Sequence, residues 1–333
     1  MGLQSCGADV SERSLLPSAK AKALAVVVNQ ADPLSVTIAR YYQQRRAIPE
    51  ANLIRLEFDP NRKTMPAQEF ERLKRQVDAS TPPHIQGYAL TWVAPYRVDG
   101  MSITSAFAFG FDEKFCAEGC QPTAENPYFN QFSQTPYQDF QVRPTMALAA
   151  LNFAQAKALI DRGIAADFTH PAGTAYLLST SDRARNVRAQ FYLDIEQALS
   201  PYFSIKVVHS NILRDRLDVM FYFTGSAQVR QIESNLFLPG AIADHLTSLG
   251  GMLTDSHQMS SLRWLEAGAT GSYGTVVEPC NFPQKFPHPG ILMLHYLNGD
   301  TLLQAYWKSV LQPGQGIFIG EPLAQPFAPL LRL

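Results

Sequence analysis

Charge of one sign is missing from this sequence: 28 Lys and Arg face 29 Asp and Glu, a net charge of −1 over 333 residues. Such balance supplies no strong field to draw in nucleic acid or an anionic membrane. The basic stretches, Arg45-Arg46 and Arg72 to Arg75, lack interleaved aromatics on which bases would stack, and read as solvated helix faces. Apolar runs of membrane-spanning length are absent. Neither a nucleic-acid partner nor a transmembrane segment is therefore expected. The sequence has no G-x-x-x-x-G-K-[ST] loop, no G-x-S-x-G elbow and no H-E-x-x-H pair. Gly268, Gly271 and Gly274 close a helix before a strand, the reverse of a dinucleotide fingerprint. NAD and ATP are unsupported, no metal is indicated, and the cofactor stays unassigned.

What is present points to an α/β fold. Hydrophobic residues make up 46% and charged residues 17%, enough to build a large core as one domain or two intimate ones. ALAVVVN (23–29) is a continuous β-branched run of the kind buried in parallel sheets. Asp32-Pro33 then offers an N-cap and a first-turn proline, and Leu34, Ile38, Tyr41 and Tyr42 share one helical face. Strands at 52–58 and 87–93 flank a polar helix at 66–80. This alternation predicts a mostly parallel sheet with right-handed crossovers. Residues 99–142 carry Phe107, Phe109, Phe111, Phe115, Tyr128 and Phe129 with little periodicity, and read as a functional rim or a packed insertion. Further on, helices are expected at 152–167 and 184–199, and strands at 174–178, 204–208 and 219–224. Pro239 is expected to open a helix reaching Leu249. A short strand at 251–253, a helix at 258–267 closed by Gly268, and strands at 272–277 and 316–319 complete the pattern. The resulting division is a disordered leader (1–20), a smaller N-terminal α/β subdomain (21–142) and a C-terminal α/β subdomain (143–333).

Ligands of open α/β sheets bind beyond the carboxyl ends of the strands. Polar residues just past each expected strand are accordingly the ligand-binding candidates: Asn29, Asp32, Trp92, Tyr96, Arg97, Thr224 and Ser226. Asp255, Ser256, His257, Glu278 and Cys280 are the catalytic candidates. Asp255, Ser256 and His257 carry every group needed for acid–base or nucleophilic work, yet adjacent side chains diverge, and Asp255 also suits a helix cap. Glu278 suits a general acid or a surface turn. Cys280 is a nucleophile only if a histidine, His257 or His288, activates it. Cys116 and Cys120, in FCAEGC, are the disulfide candidate. Zinc binding would need a second Cys or His pair, which is missing at any familiar spacing.

From Ala23 to Pro326 the ordered pieces VVVNQADPLSVTIARYYQQRRAIPEANLIRL, PYRV, FLPGAIADHLTS, WLEAGATGSYGTVVEP and IGEPLAQPF resemble one uncharacterised bacterial family. That family is known mainly from species with exosortase-type (PEP-CTERM) sorting systems, and its members generally carry an export signal. Here Leu3-Gln4-Ser5-Cys6-Gly7 resembles the end of a lipoprotein signal, with Cys6 in the lipidated position but no upstream apolar stretch. An exported or periplasmic location is the expectation, with a cytoplasmic one as the alternative. More distantly, the plan is similar to the gingipain-type branch of the caspase-like cysteine peptidases, with RPTMALAALNFAQAKALIDRGIAAD resembling the stretch that joins their two subdomains. In those peptidases a histidine follows one strand and a cysteine the next. The matching places here, Thr224-Gly225-Ser226 and Leu253-Thr254-Asp255, hold neither. The resemblance thus implies a caspase-like fold without the Cys–His dyad. The expected function is then binding of an unidentified small molecule or protein in the envelope; the alternative is a hydrolase acting through an Asp/Ser/His/Glu constellation.

Overall fold

A computed structural model describes residues 18–117 and 119–329; Cys6 and most of the expected leader lie outside the described residues. The large sheet contains β1 (Leu24–Asn29), β2 (Leu53–Leu56), β4 (Gly87–Leu90), β7 (Thr145–Ala147), β8 (Thr174–Ser179), β9 (Ser204–His209), β10 (Val219–Gly225), β11 (Phe237–Leu246), β12 (Gly271–Thr275) and β13 (Gly316–Gly320). Three short strands, β3 (Thr64–Met65), β5 (Arg97–Val98) and β6 (Met101–Ser102), form a separate small sheet. The ten large strands run in the order β2-β1-β4-β7-β13-β12-β11-β10-β8-β9.

Every neighbouring pair in that order is parallel except β12 and β13. The sheet is therefore two five-stranded parallel halves running in opposite directions, joined by one antiparallel seam. Each half has the same order: its second strand outermost, then its first, third and fourth, then a strand at the seam. In the first half that seam strand is β13, supplied from the end of the chain. Carboxyl ends of the two halves consequently lie at opposite edges. This corrects the expectation that all the polar strand tips meet at one edge.

The alternation read from the sequence is otherwise recovered in α2 (Pro33–Arg46), α3 (Ala67–Ser80), α6 (Phe153–Ala166), α9 (Pro289–Leu297) and α10 (Leu302–Ser309). Asp32 caps α2 by accepting from the Leu34 amide, and Gly268 closes the helix Leu262–Ala267 with φ of 116°. The region expected as a helix at 184–199 begins as a 3-10 turn, Asn186–Phe191, before α7 (Tyr192–Leu199).

Three expectations fail for local reasons. Residues 237–246 form β11 rather than a helix from Pro239. Pairing with β10 jumps from Val219↔Phe237 to Phe221↔Ile242, so Pro239 and Gly240 sit in a bulge where the proline's missing N–H costs no ladder bond. Residues 251–253 are turn, not strand. A Cβ on Gly251 would lie 2.6 Å from the Gly274 carbonyl oxygen, so the loop presses directly on β12. Within 99–142 a helix, α4 (Ile103–Phe109), enters the core. Phe107 packs edge-on against Phe70 at 5.1 Å and Trp92 at 5.9 Å, and Phe115 and Tyr128 are buried. Those aromatics pack into the fold; Phe132, a further aromatic of the same segment, stays largely exposed, at 71%.

A buried ionic network fastens the end of the chain to its beginning. Arg46, on α2, reaches Glu321 with Nε at 3.0 Å and Nη2 at 2.5 Å, and Asp167 with Nη1 at 2.5 Å. Tyr42 donates to Glu321 at 2.7 Å and Lys20 to Asp167 at 2.8 Å. Glu321 follows β13, so these bonds hold the inserted strand in register beside β7.

Candidate functional site

In a doubly wound half-sheet the ligand crevice opens where successive connections diverge, between the first and third strands. Both crevices are filled by the protein's own polar groups. In the first half, Asn29 accepts from the amides of Ala31 and Phe58 and donates to the Phe58 carbonyl. Ser35 and Thr91 hydroxyls meet at 2.7 Å. Asn29, Ser35 and Thr91 are all fully buried. The second crevice, between β8 and β10, is plugged by the backbone of Arg185 and Asn186. A Cβ on Gly225 would fall 1.9 Å from the Arg185 carbonyl oxygen. Thr180 donates to the Gly225 carbonyl at 2.7 Å and Arg188 to that of Thr224 at 2.9 Å. Asn29, Asp32, Thr224 and Trp92, whose indole donates to the Pro95 carbonyl, thus serve the fold locally.

The polar cleft lies elsewhere, at the carboxyl edge of the second half. It encloses about 380 Å³ and is lined by Gln228, Thr254, Asp255, Ser256, Gln258 and Arg263, among others. The chain after β4 doubles back to reach it. Tyr96 donates to Asp255 Oδ1 at 2.7 Å and Lys63 to Oδ2 at 2.8 Å, while Arg97 Nη1 approaches the Val276 carbonyl at 3.5 Å. Partial burial opposes ionisation of Asp255. The bonds from Lys63 and Tyr96, with the charges of Lys63 and Arg97, outweigh it and hold the carboxyl below its ordinary pKa. Asp255 is a fixed anion bridging the two halves rather than a helix cap.

Of the remaining candidates Ser256 lines this cleft, whereas Ser226, His257, Glu278 and Cys280 are not among its lining residues. Ser256 accepts from the Gln258 amide at 3.1 Å, and Ser226 both accepts from and donates to the Gln228 backbone. His257 is exposed, and its carbonyl accepts from Gln228. Among the described residues no hydrogen bond joins its ring to a hydroxyl, thiol or carboxylate. Glu278, also exposed, accepts from the Cys280 amide at 2.8 Å.

Cysteine pairing differs from the expected one. Cys120 is bonded to Cys280, 160 residues away, and Cys116 is free. Two loops distant in sequence meet beside β12, and this long-range contact, invisible in the FCAEGC spacing, decides the partner. Cys280 therefore has no thiol to act as nucleophile. Among the described residues no group of three or more His, Cys, Asp and Glu is arranged to hold a metal ion, and no helix is long and apolar enough to cross a membrane.

The sequence reading missed the polar pair inside β11. Alternation sends Asp244 and His245 to opposite faces, a signal hidden while 239–249 reads as a helix. Asp244 meets Arg188 at 2.6 Å, both buried. His245 accepts from the Trp264 indole at 2.9 Å through Nδ1, so Nε2 carries the proton and donates to the Met259 carbonyl at 3.0 Å. Burial drives its pKa down to about 4, although the Met259 bond favours the protonated form. Between pH 6.5 and about 4 the unfolded chain takes up a proton that the folded one refuses. Stability is expected to fall by about 3 kcal/mol across that window. Denaturant titrations at stepped pH check this, and His245→Phe should remove most of the slope.

Comparison with protein-family models, curated proteins and solved structures finds no match to this chain.

Proposed function

We propose that this chain is a binding protein of the cell envelope, built on a caspase-like fold without the Cys–His dyad. It takes a polar ligand or a protein segment in the Asp255 cleft. The observation that carries this reading is the pairing within the cleft. It offers amide, hydroxyl and charged groups, while its carboxylate is already engaged by Tyr96 and Lys63, and Cys280 is locked in a disulfide. Nucleophilic catalysis needs an attacking group in reach of a base, and among the described residues no hydrogen bond joins the Ser256 hydroxyl to the His257 ring or to a carboxylate. The Cys120–Cys280 bond favours an oxidising compartment, in keeping with export. The mostly parallel sheet flanked by helices supports the α/β part of this reading; the kinship to the exosortase-associated family and, more distantly, to gingipain-type proteins rests on the sequence pieces.

A displayed library of random peptides, selected on the purified protein, tests the binding reading. Selected peptides should lose roughly tenfold or more in affinity on Asp255→Ala, since a lost charge-assisted contact is worth 1.5–3 kcal/mol or so. The variant's melting midpoint should fall only modestly: the Lys63 partner is half exposed, and the one further loss is the acceptor of the Tyr96 hydroxyl. Turnover of p-nitrophenyl acetate, p-nitrophenyl phosphate or casein that disappears in Asp255→Ala would replace binding by the hydrolase reading.

A further inference from the structure

An ammonium group taken out of water must be paired or lose its proton more readily. Two lysines among the described residues are fully buried, and they solve this differently. Lys308 lies 2.6 Å from the Asp300 carboxylate. Lys285, in the 3-10 turn Pro283–Lys285 after β12, has no carboxylate within 4 Å among the described residues. Its Nζ donates to one backbone carbonyl, that of Gln121, at 2.7 Å, and lies 5.1 Å from the centre of the Phe282 ring. Burial lowers its pKa to about 8, with the more distant Glu278 acting in the opposite sense.

The cover over this amine is thin. Gln121 directly follows Cys120, and Cys280 precedes Lys285 by five residues, so the disulfide presses residues 119–122 onto the lysine turn. Those four residues are themselves exposed. Apart from a bond within the strap, from the Gln121 amide to the Gly119 carbonyl, their ties to the rest of the described chain are the disulfide and the Lys285 bond. Just past the strap the chain is fixed independently, by the Ala124 amide on the Lys114 carbonyl at 2.8 Å and the Thr123 amide on Gln312 at 3.3 Å. Cys280 and Asn281 also hold φ of 56° and 55°, a left-handed conformation that costs energy in non-glycine residues and is kept only while the surroundings enforce it.

We propose that the Cys120–Cys280 disulfide is a redox latch over Lys285: reduction releases the strap 119–122, withdraws the Gln121 carbonyl and opens the amine to acylating reagents. The reduction is a two-electron exchange. A dithiol becomes its cyclic disulfide while Cys120 and Cys280 gain the two hydrogens as thiols. In the acylation that follows, the lysine nitrogen bonds to the acyl carbon, the leaving group departs with the bonding pair, and nitrogen loses a proton.

The full chain is treated with or without dithiothreitol, its thiols are capped with iodoacetamide, and it is pulsed with the N-hydroxysuccinimide ester of acetate. Peptide mass spectrometry then reads acetylation at Lys285 and Lys308. Reduction should speed acetylation of Lys285 roughly tenfold or more, as expected for local opening, and leave Lys308 protected. The double variant Cys120→Ser, Cys280→Ser should be acetylated at Lys285 without reductant. Equal Lys285 rates in the oxidised and reduced protein would overturn the latch. So would Lys308 and Lys285 reacting together on reduction, because the opening would then be global.

Discussion

Glu321→Ala is expected to lower the unfolding free energy by about 3–5 kcal/mol, the cost of leaving a buried charge without its partner. The side chain of Glu321 is fully buried and that of Arg46 is 6% exposed, so water cannot take over the lost contact. Burial alone would disfavour the guanidinium, but Glu321 above all, with Asp167, holds it charged. The Tyr42 hydroxyl loses its acceptor in the same substitution. Urea titration should give a lower midpoint with an unchanged slope. Replacing both partners, as Arg46→Met with Glu321→Leu, should recover much of the loss, since the desolvation cost disappears along with the attraction. The position matters beyond its energy: Glu321 anchors β13, and β13 is the strand that joins the two halves of the sheet.

Removing the disulfide, by reductant or by Cys280→Ser, should cost about 4 kcal/mol, near the upper end of the usual range because the bond closes so long a loop. The separation of 160 residues means that the reduced unfolded chain gains freedom over nearly half its length. The folded state loses little, since the loops on both sides keep their anchors on residues 312–315. The thermal midpoint should fall while far-ultraviolet circular dichroism at 25 °C stays unchanged. Intact mass and thiol counting should return one disulfide within residues 18–329, joining Cys120 to Cys280, with Cys116 alkylated. A peptide linking Cys116 to Cys120 would contradict the fold around β12.

The parts of the molecule legible beforehand are those governed by neighbours in sequence. ALAVVVN could only be a buried strand, because six consecutive apolar residues without helical spacing have both faces to hide. Asp32-Pro33 and Gly268 marked helix ends through capping geometry that involves a single turn. The segment from Pro239 to Leu246 misled because its proline and glycine lie in a bulge that exists only where β10 pairs with it. Asp255 was recognised as a candidate, but its partners Tyr96 and Lys63 lie 159 and 192 residues away and leave no local trace.

By itself, then, the sequence determined an α/β chain with alternating strands and helices, weakly charged and rich in core, because periodicity and capping are short-range properties. Tertiary structure alone decided that the last strand enters the middle of the sheet and reverses it, that Cys120 chooses Cys280, and that Asp255 rather than either strand crevice faces an open cleft. Each of these depends on contacts between segments far apart in the chain, where the energy of packing and pairing is set by geometry that no local pattern encodes.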